Sequence, residues 1–497
     1  MRSLGRGIGA GLLSSGWLAL LSLVLAPVYV HLLGIESYGL IGLYTAALAI
    51  GGILDVALSA TVSREIAWKQ ARIAEQHEVA PLLRSVEIVY WIAVSALSLI
   101  LLVAGTVFGS GWLQNSALPD YQVKGALALM LLSLAIQLPS GLYTASLIGL
   151  HRQACSAGLL AGFGTVRGLG AALIAWAVSS DIRAFFMWHV VVGLAQILCL
   201  RWQVWSYVRV LGGQAFFSAT SLVSIRHAVG AMFLITALGM MLSQMDKIVL
   251  AFMVPLESIG YYTLAWGLAS GLTIIATPVV QGFGVRFSAL ASTEKQDELE
   301  TQINMASQLT YALVIPPAAI LALFPESILL AWVRNMDVAA AASAPLSFLA
   351  MGTAMVACTY PLLAALYAKK EFKQAILIQL ACLLLFFPVL LWLTGSFGIW
   401  GAALCWSIYG AGLFVSHFIL MSLRHRRQLS NGLLKVFIST LAISAVVGLS
   451  FKQLLGEFLH HDQVLWMIGV ALICTWGLLV SVSSNLRRGF SEIVKNI

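Results

Sequence analysis

The chain alternates between long apolar segments and short polar connections. Fourteen segments are long and apolar enough to cross a hydrocarbon core of roughly 30 Å as helices. They run over residues 10 to 33, 38 to 63, 86 to 109, 122 to 149, 156 to 179, 184 to 207, 227 to 253, 258 to 284, 303 to 324, 343 to 368, 374 to 394, 399 to 422, 433 to 451 and 464 to 482. Barrel strands are shorter and alternate in polarity, so the pattern predicts membrane-spanning helices.

The overall composition agrees with a membrane protein. Hydrophobic residues make up 60% of the chain and charged residues 10%, whereas soluble domains carry roughly 25% charged residues. The formal net charge of +8 comes from short clusters between apolar segments, where lipid headgroups explain it without a nucleic-acid partner.

The distribution of positive charge predicts the orientation. With an even number of spans, most of the 28 Lys and Arg residues lie on the same side as the N-terminus. The exceptions are Lys124, Arg183, Arg334 and Lys452 in connections or at span ends on the other side, and Arg167 and Lys247 deep within spans. The positive-inside rule therefore predicts cytoplasmic N- and C-termini. The first apolar segment is too long for a signal-peptide core and is expected to be an uncleaved span.

The polar connections contain no recognisable catalytic machinery. None is long enough for a soluble domain, and the sequence has no Gly-rich phosphate-binding loop with Lys and Ser or Thr. The six cysteines are widely spaced and mostly lie in apolar segments, which indicates neither a metal motif nor a disulfide framework. We therefore expect a transporter rather than an enzyme, with no cofactor and no metal.

An internal repeat divides the chain into similar halves. Residues 33 to 39 (LGIESYG) resemble 254 to 260 (VPLESIG), and 152 to 154 (RQA) resemble 373 to 375 (KQA), both displaced by 221 residues. Six spans separate equivalent points, so both halves enter the membrane in the same orientation and are expected to be related by an axis along the membrane normal.

The repeat predicts an all-α polytopic membrane protein of about 14 transmembrane helices. Its expected parts are an N-terminal six-helix bundle over residues 1–210, a cytoplasmic linker over 211–226, a C-terminal six-helix bundle over 227–425, and two additional helices with a short cytoplasmic tail over 426–497. Two such bundles, related by a pseudo-two-fold, can enclose a cavity that opens alternately to either side.

Several short stretches resemble one protein family. They are residues 33 to 39, Asp55 to Ser59 followed by Arg64 and Glu65, Asp246 and Lys247 with Gly260 to Tyr262, and Phe324 to Ser327 followed by Trp332. In this pattern the chain resembles the polysaccharide (oligosaccharide-lipid) flippases, Wzx-like proteins of the multidrug/oligosaccharidyl-lipid/polysaccharide (MOP) exporter superfamily. Ala57 departs from the pattern, since the family often has Gly there.

The resemblance implies a MATE-like pair of bundles in a bacterial inner membrane. Its implied substrate is a polyprenyl-diphosphate-linked glycan, the repeat unit of O-antigen, capsule or exopolysaccharide, moved from the cytoplasmic to the outer leaflet by alternating access. Membrane lipids are implied partners, together with the polysaccharide polymerase and chain-length machinery.

Arg167 is the first candidate for substrate binding. It lies near the centre of the span over 156 to 179, where a charge is expensive unless it faces water or a partner. Guanidinium pairs with phosphate through two parallel hydrogen bonds, which suits a lipid diphosphate. The alternative is a structural ion pair with Asp55 or Asp246.

The remaining candidates lie on spans two and seven. Lys247 shares a helical stripe with Thr236 and Ser243, which is expected to line the cavity. Asp55 and Asp246 are candidates for ion coupling or for structural charges. At the end of span two, Arg64 and Glu65 are candidates for an inner gate or a family motif.

Two other functions remain open at this point. A MATE-like drug or metabolite antiporter driven by a cation would use an acidic site within the membrane. A membrane glycan polymerase or ligase, from a different class, would be expected to carry a long outer loop with Arg and His, and the longest outer connection here, near residues 324 to 342, is short.

Overall fold

The computed structural model describes residues 2–112, 118–293, 295–369, 371–424, 427–455 and 461–482. Within these ranges the chain is helical, with short connections and no strand. The helices are α1 (Arg2–Leu33), α2 (Ile35–Ala71), a 3-10 helix (Ile73–Glu78), α3 (Val79–Trp112), α4 (Asp120–Gln137), α5 (Ser140–Gly149), α6 (Gln153–Ala177), α7 (Ile182–Val210), α8 (Ala219–Met253), α9 (Leu256–Ser292), α10 (Gln296–Leu323), α11 (Pro325–Val333), α12 (Met336–Ala368), α13 (Phe372–Phe397), α14 (Ile399–Arg424), α15 (Arg427–Leu455) and α16 (His461–Val482).

The predicted fold class is confirmed, since each of the fourteen predicted segments falls on helical chain. Within the described ranges, 11 stretches are long and apolar enough to cross a membrane. The predicted segment over 122 to 149 is divided into α4 and α5 at Leu138 and Pro139, because proline cannot donate the backbone hydrogen bond that would continue α4. The nine-residue α11 was not predicted.

The helices form two compact units, Met1–Gly260 and Tyr261–Ile497. In the first unit, α2, α3, α5 and α7 surround an apolar core that includes Ile66, Leu82, Leu142 and Val204. α1 packs on α6, and α8 packs on α2 and α3. The first unit therefore places α2, α6, α7 and α8, which carry the candidate site residues, in one packed body.

The second unit is built around α10, α12 and α14. Its core includes Tyr311, Leu362 and Phe414, and α15 adds Phe437 to the same core. The predicted additional helices α15 and α16 both pack on α10. The indole of Trp476 in α16 donates a hydrogen bond of 2.9 Å to the carbonyl of Ala312, so these last two helices are integral to the unit.

The first copy of the repeated motif contacts the second. Gly39 lies against the carbonyl of Leu256, and Gly260 lies against the carbonyl of Ile35. Because residues 35 and 39 correspond to 256 and 260 in the repeat, the contact is reciprocal. A Cβ atom at either glycine would collide with the opposing backbone, which explains why both copies carry glycine at this position.

The boundaries of the predicted bundles stay a prediction. The connection from α7 to α8 covers residues 211–218, whereas residues 219–226 of the predicted linker lie in α8, which packs with the first unit. Contacts between neighbouring helices define these units, whereas the predicted boundary follows the sequence repeat.

Candidate functional site

Arg167 lies on α6, a helix that packs closely on its neighbours. Gly164 faces Leu18 of α1, and a Cβ atom at Gly168 would lie 2.7 Å from Cδ1 of Leu25. Small residues let helices approach closely in membranes. The glycines on either side of Arg167 therefore hold α6 against α1 and leave its guanidinium between helices.

The guanidinium of Arg167 contacts α7. Its Nη2 donates to Oε1 of Gln196, which is buried on α7. Its Nε is buried and has no hydrogen-bond partner among the described residues. A guanidinium has five N–H donors, so Arg167 keeps unused donor capacity inside the membrane. Within the described ranges its hydrogen-bond partner is a neutral amide, and it forms neither of the predicted alternative ion pairs, with Asp55 or with Asp246.

A polar cluster extends from Arg167 across two further helices. The hydroxyl of Tyr44 on α2 lies 2.7 Å from Oγ of Ser133 on α4, and Gln137 donates to both groups. Tyr44 and His189 are both close enough to Arg167 for electrostatic interaction. We call Tyr44, Ser133, Gln137, Arg167, His189 and Gln196 the arginine cluster. Among the sequence-predicted site residues, this cluster contains Arg167 alone.

His189 has a defined position beside the cluster. Its Nδ1 lies 2.9 Å from the carbonyl of Phe185, one helical turn earlier. Because a carbonyl only accepts, this contact places a proton on Nδ1. The imidazole stacks on the ring of Phe185 with centroids 4.2 Å apart. The rings of Phe186 and Tyr44 also lie against it, so His189 is held by aromatic rings within electrostatic range of Arg167.

Asp55 occupies a second polar site in the same unit. Its carboxylate accepts hydrogen bonds from Ser59 Oγ at 3.2 Å and from the Tyr90 hydroxyl at 3.3 Å. It lies directly against Gly141 in the first turn of α5, where a Cβ atom would collide with it. The positive end of a helix dipole stabilises a carboxylate. The break at Pro139 therefore brings the start of α5 to Asp55.

Asp246 and Lys247 are both buried on α8. Nζ of Lys247 donates to Gln244 Oε1 at 3.1 Å, and Asp246 accepts the backbone N–H of Lys247 at 2.8 Å. Ser243 donates to the Met240 carbonyl at 3.0 Å, and Thr236 is partly buried on the same stripe. Lys247 donates to Gln244, whereas Arg167 donates to Gln196. A single cationic site formed by Lys247 and Arg167 together stays a prediction.

Arg64 and Glu65 lie near the C-terminal end of α2. Arg64 is exposed, and Glu65 lies 3.9 Å from Lys69, which also pairs with Glu78 at 2.5 Å. The Lys69 side chain is only 10% exposed, whereas Glu65 and Glu78 are 28% and 48% exposed. The ion pairs connect α2 to the 3-10 helix, and an inner-gate role for Arg64 and Glu65 stays a prediction.

Glu87 was missed by the sequence analysis. Its carboxylate, 3% exposed, accepts hydrogen bonds from Tyr143 at 2.5 Å, Arg201 at 2.7 Å and Arg84 at 2.9 Å. It thereby joins α3, α5 and α7. An acidic residue at the start of an apolar segment, three residues after Arg84, was the signal that could have identified it.

Asp181 begins α7 at the opposite end. It accepts the backbone N–H of Arg183 at 2.8 Å and the guanidinium of the same residue at 2.6 Å. Burial raises the pKa of the Asp181 carboxyl, but the hydrogen bonds from Arg183 outweigh it and leave this pKa below its usual value.

Within the described ranges, no group of three or more His, Cys, Asp or Glu residues is arranged to hold a metal ion.

Comparisons by sequence found no matching family model and no matching curated protein. Solved structures do match. The lipid II flippase MurJ in an inward closed conformation has a TM-score of 0.72 at 14% identity, covering 95% of this chain and 97% of that chain. An inward-facing multidrug resistance MATE family transporter of the MOP superfamily has a TM-score of 0.68 at 13% identity, covering 83% and 95%.

A third structure, a mutant of the Vibrio cholerae MATE transporter VcmN, has a TM-score of 0.57 at 13% identity, covering 86% of this chain and 98% of that chain. These identities establish the fold and leave the substrate open. The chain therefore has the fold of these flippase and multidrug transporter structures, and the resemblance predicted from its sequence is confirmed at the level of the fold.

Proposed function

We propose that this protein is a flippase that moves a lipid-diphosphate-linked oligosaccharide from the cytoplasmic to the outer leaflet of a bacterial inner membrane. The observation that carries the proposal is Arg167, an intramembrane guanidinium whose buried Nε has no partner among the described residues. In a chain with the fold of flippases and transporters, such a group is suited to an anionic substrate.

Arg167 lies too far from either end of α6 for its side chain to reach water there. It lies about 21 Å from the start of α6 and about 15 Å from its end, at a rise of about 1.5 Å per residue. A charge at this depth costs from a few to more than ten kcal/mol. A diphosphate entering the membrane carries the complementary charge, and two parallel N–H donors of guanidinium match two phosphate oxygens. The arginine cluster then orients the guanidinium through Gln196.

The other candidates take roles around this site. Lys247, with Ser243 and Thr236 on the same stripe of α8, supplies a second cationic surface for the glycan or its diphosphate. Asp55 and Asp246 are the proposed sites of ion coupling or of structural charge. Alternating access moves the substrate past these groups, with N- and C-termini in the cytoplasm and membrane lipids, polymerase and chain-length machinery as partners.

The helices beyond the twelfth span favour a flippase over an antiporter. The MurJ structure covers 95% of this chain, whereas the MATE structures named above cover 83% and 86%. α15 and α16 are packed into the second unit, so the part of the chain beyond twelve spans has a structural role. The flippase and MATE-transporter structures give no support to the polymerase or ligase alternative.

One observation favours a cation antiporter as the second candidate. Asp55 is a partly buried carboxylate that accepts hydrogen bonds from two hydroxyl groups, with no ion pair among the described residues. A carboxylate in such a setting can take up a proton or a small cation. A drug or metabolite antiporter would use this exchange to drive export.

Deletion of the gene and complementation with variants test the proposal. Wild-type protein is expected to restore surface polymer, and the deletion strain is expected to accumulate carrier-linked glycan on the cytoplasmic face. Arg167→Ala and Arg167→Lys should each reduce export at least tenfold at equal membrane abundance. Arg152→Gln, on the exposed N-terminal end of the same helix, is the matched control and should export normally.

Two results would contradict the flippase assignment. One is full export by both Arg167 variants. The other is normal surface polymer in the deletion strain together with increased sensitivity to toxic compounds, which would identify the antiporter. In that case Asp55→Asn is expected to abolish resistance.

A further inference from the structure

A cavity of about 650 Å³ opens between α3 and α7 in the first unit. It lies at the end of these helices that the distribution of Lys and Arg predicts to be cytoplasmic, away from the arginine cluster. Its lining consists of Ala80, Arg84, Leu198, Arg201, Trp202, Trp205, Val208, Arg209, Gly213 and Ala215. Three arginines and two tryptophans in one cavity combine positive charge with aromatic surface.

The cavity keeps a net positive charge after its internal ion pairs are counted. Arg84 and Arg201 both pair with Glu87, whose carboxylate is 3% exposed, while their own side chains remain 38% and 46% exposed. Arg209 is exposed and has no carboxylate partner among the described residues. Three guanidinium groups thus share one carboxylate, and an anion is the complementary ligand.

An exposed apolar stripe on α7 leads into the cavity. Val191, Leu194, Leu198 and Trp202 follow one another at helical spacing and are 50%, 45%, 64% and 70% exposed. Val191 and Trp202 are about 16 Å apart along the axis, close to the roughly 15 Å thickness of one hydrocarbon leaflet. The tryptophans lie where the stripe meets the arginines, as interfacial aromatic residues do.

The segment after α7 forms an ordered wall of the cavity. Gly213 has φ of +91° and lies against the His77 carbonyl, where a Cβ atom would collide with it. The backbone N–H of Ser218 donates to Ser85 Oγ on α3 at 2.7 Å. Two attachments therefore hold residues 213 to 218 beside the arginines, and the cavity is a built feature of the fold.

We propose that this cavity binds the phosphate headgroup of an anionic phospholipid of the cytoplasmic leaflet, with an acyl chain along the apolar stripe of α7. Basic pockets between membrane helices on the cytoplasmic side are suited to anionic headgroups. A ligand that is anionic at one end and apolar along a leaflet's thickness matches both features, whereas a free phosphate matches only the arginines. The site is separate from Arg167 and does not depend on the transported glycan.

Lipid retention by the full-length purified protein tests this site without any glycan. The protein is reconstituted in phosphatidylcholine nanodiscs with increasing phosphatidylglycerol, re-extracted, and its retained lipids are counted by native mass spectrometry. Wild-type protein should retain phosphatidylglycerol in preference to phosphatidylcholine. Arg209→Gln should weaken this preference about fivefold, which corresponds to about 1 kcal/mol for one basic side chain at an anionic headgroup. Arg209→Lys should keep most of it.

A second variant and a control separate the site from general effects. Trp202→Ala removes an exposed apolar contact and should also reduce retention while the protein stays folded. Arg152→Gln removes an exposed positive charge outside the cavity and should leave retention unchanged. The proposal is overturned if Arg209→Gln and Trp202→Ala both retain phosphatidylglycerol as wild type does, or if soluble glycerol phosphate displaces the lipid at equal concentration.

Discussion

Removing the charge of Glu87 should destabilise the first unit. Glu87→Gln keeps the shape of the side chain. Its amide N–H donor would, however, face the N–H donors of Arg84 or of Arg201, so a hydrogen bond would be lost. Hydrogen bonds to charged groups contribute about 1.5–3 kcal/mol. Tyr143 is buried, so its hydrogen bond of 2.5 Å to Glu87 is taken to contribute the full amount. The two arginines are 38% and 46% exposed, so solvent screening reduces each to about 1 kcal/mol at most.

The expected loss is therefore about 3 kcal/mol. For a cooperative unit of about 250 residues, each kcal/mol shifts the unfolding midpoint by roughly 2 °C, and the first unit spans Met1–Gly260. The apparent midpoint of Glu87→Gln should fall by about 6 °C. Thermal unfolding in detergent, followed by far-ultraviolet circular dichroism, measures the shift at one fixed scan rate.

Glu75→Gln is the matched control. Glu75 pairs with Arg72 at 3.0 Å, and these two side chains are 28% and 52% exposed, so the pair contributes about 0–1 kcal/mol. Its midpoint should stay within about 2 °C of the wild type. Equal shifts in both variants, or no shift in Glu87→Gln, would refute the conclusion that Glu87 connects α3, α5 and α7.

Two further predictions concern helix contacts. Gly260→Ala should destabilise the protein by about 1–3 kcal/mol, because the methyl group would collide with the Ile35 carbonyl. Gly267 has open space around it, so Gly267→Ala should leave the stability unchanged. The unfolding midpoints of the two variants test this difference. Gly168→Val should separate α6 from α1 and reduce both stability and transport. Gly162 lies on an open face of α6, so Gly162→Val should leave both properties near wild type. Equal behaviour of the two variants would contradict the packing of α6 on α1.

The sequence predicts the helices well because the membrane imposes a simple rule. A segment long enough to cross the hydrocarbon core must satisfy its backbone internally, so apolar length alone predicts a helix. The repeat was equally visible, and the structure gives it a physical meaning in the reciprocal contact of Gly39 and Gly260. The break at Pro139 interrupts a segment predicted as one span, and its position against Asp55 depends on tertiary packing.

The site was predicted less completely, since partners far apart in sequence cannot be read from it. The depth of Arg167 indicated that it needs a partner or water, and the structure supplies Gln196, 29 residues away, in place of a carboxylate. Glu87 escaped notice because Tyr143 and Arg201 reach it from 56 and 114 residues away.

The most direct test of the flippase proposal is transport by the purified protein. Proteoliposomes are loaded with a polyprenyl-diphosphate-linked oligosaccharide in both leaflets, and an impermeant sugar-oxidising reagent modifies the outer pool. With wild-type protein, all of the glycan should become accessible over time; with Arg167→Ala, accessibility should stop near the outer half, as in protein-free liposomes. Complete modification with Arg167→Ala, at the wild-type rate, would contradict a role for this guanidinium in moving the lipid diphosphate.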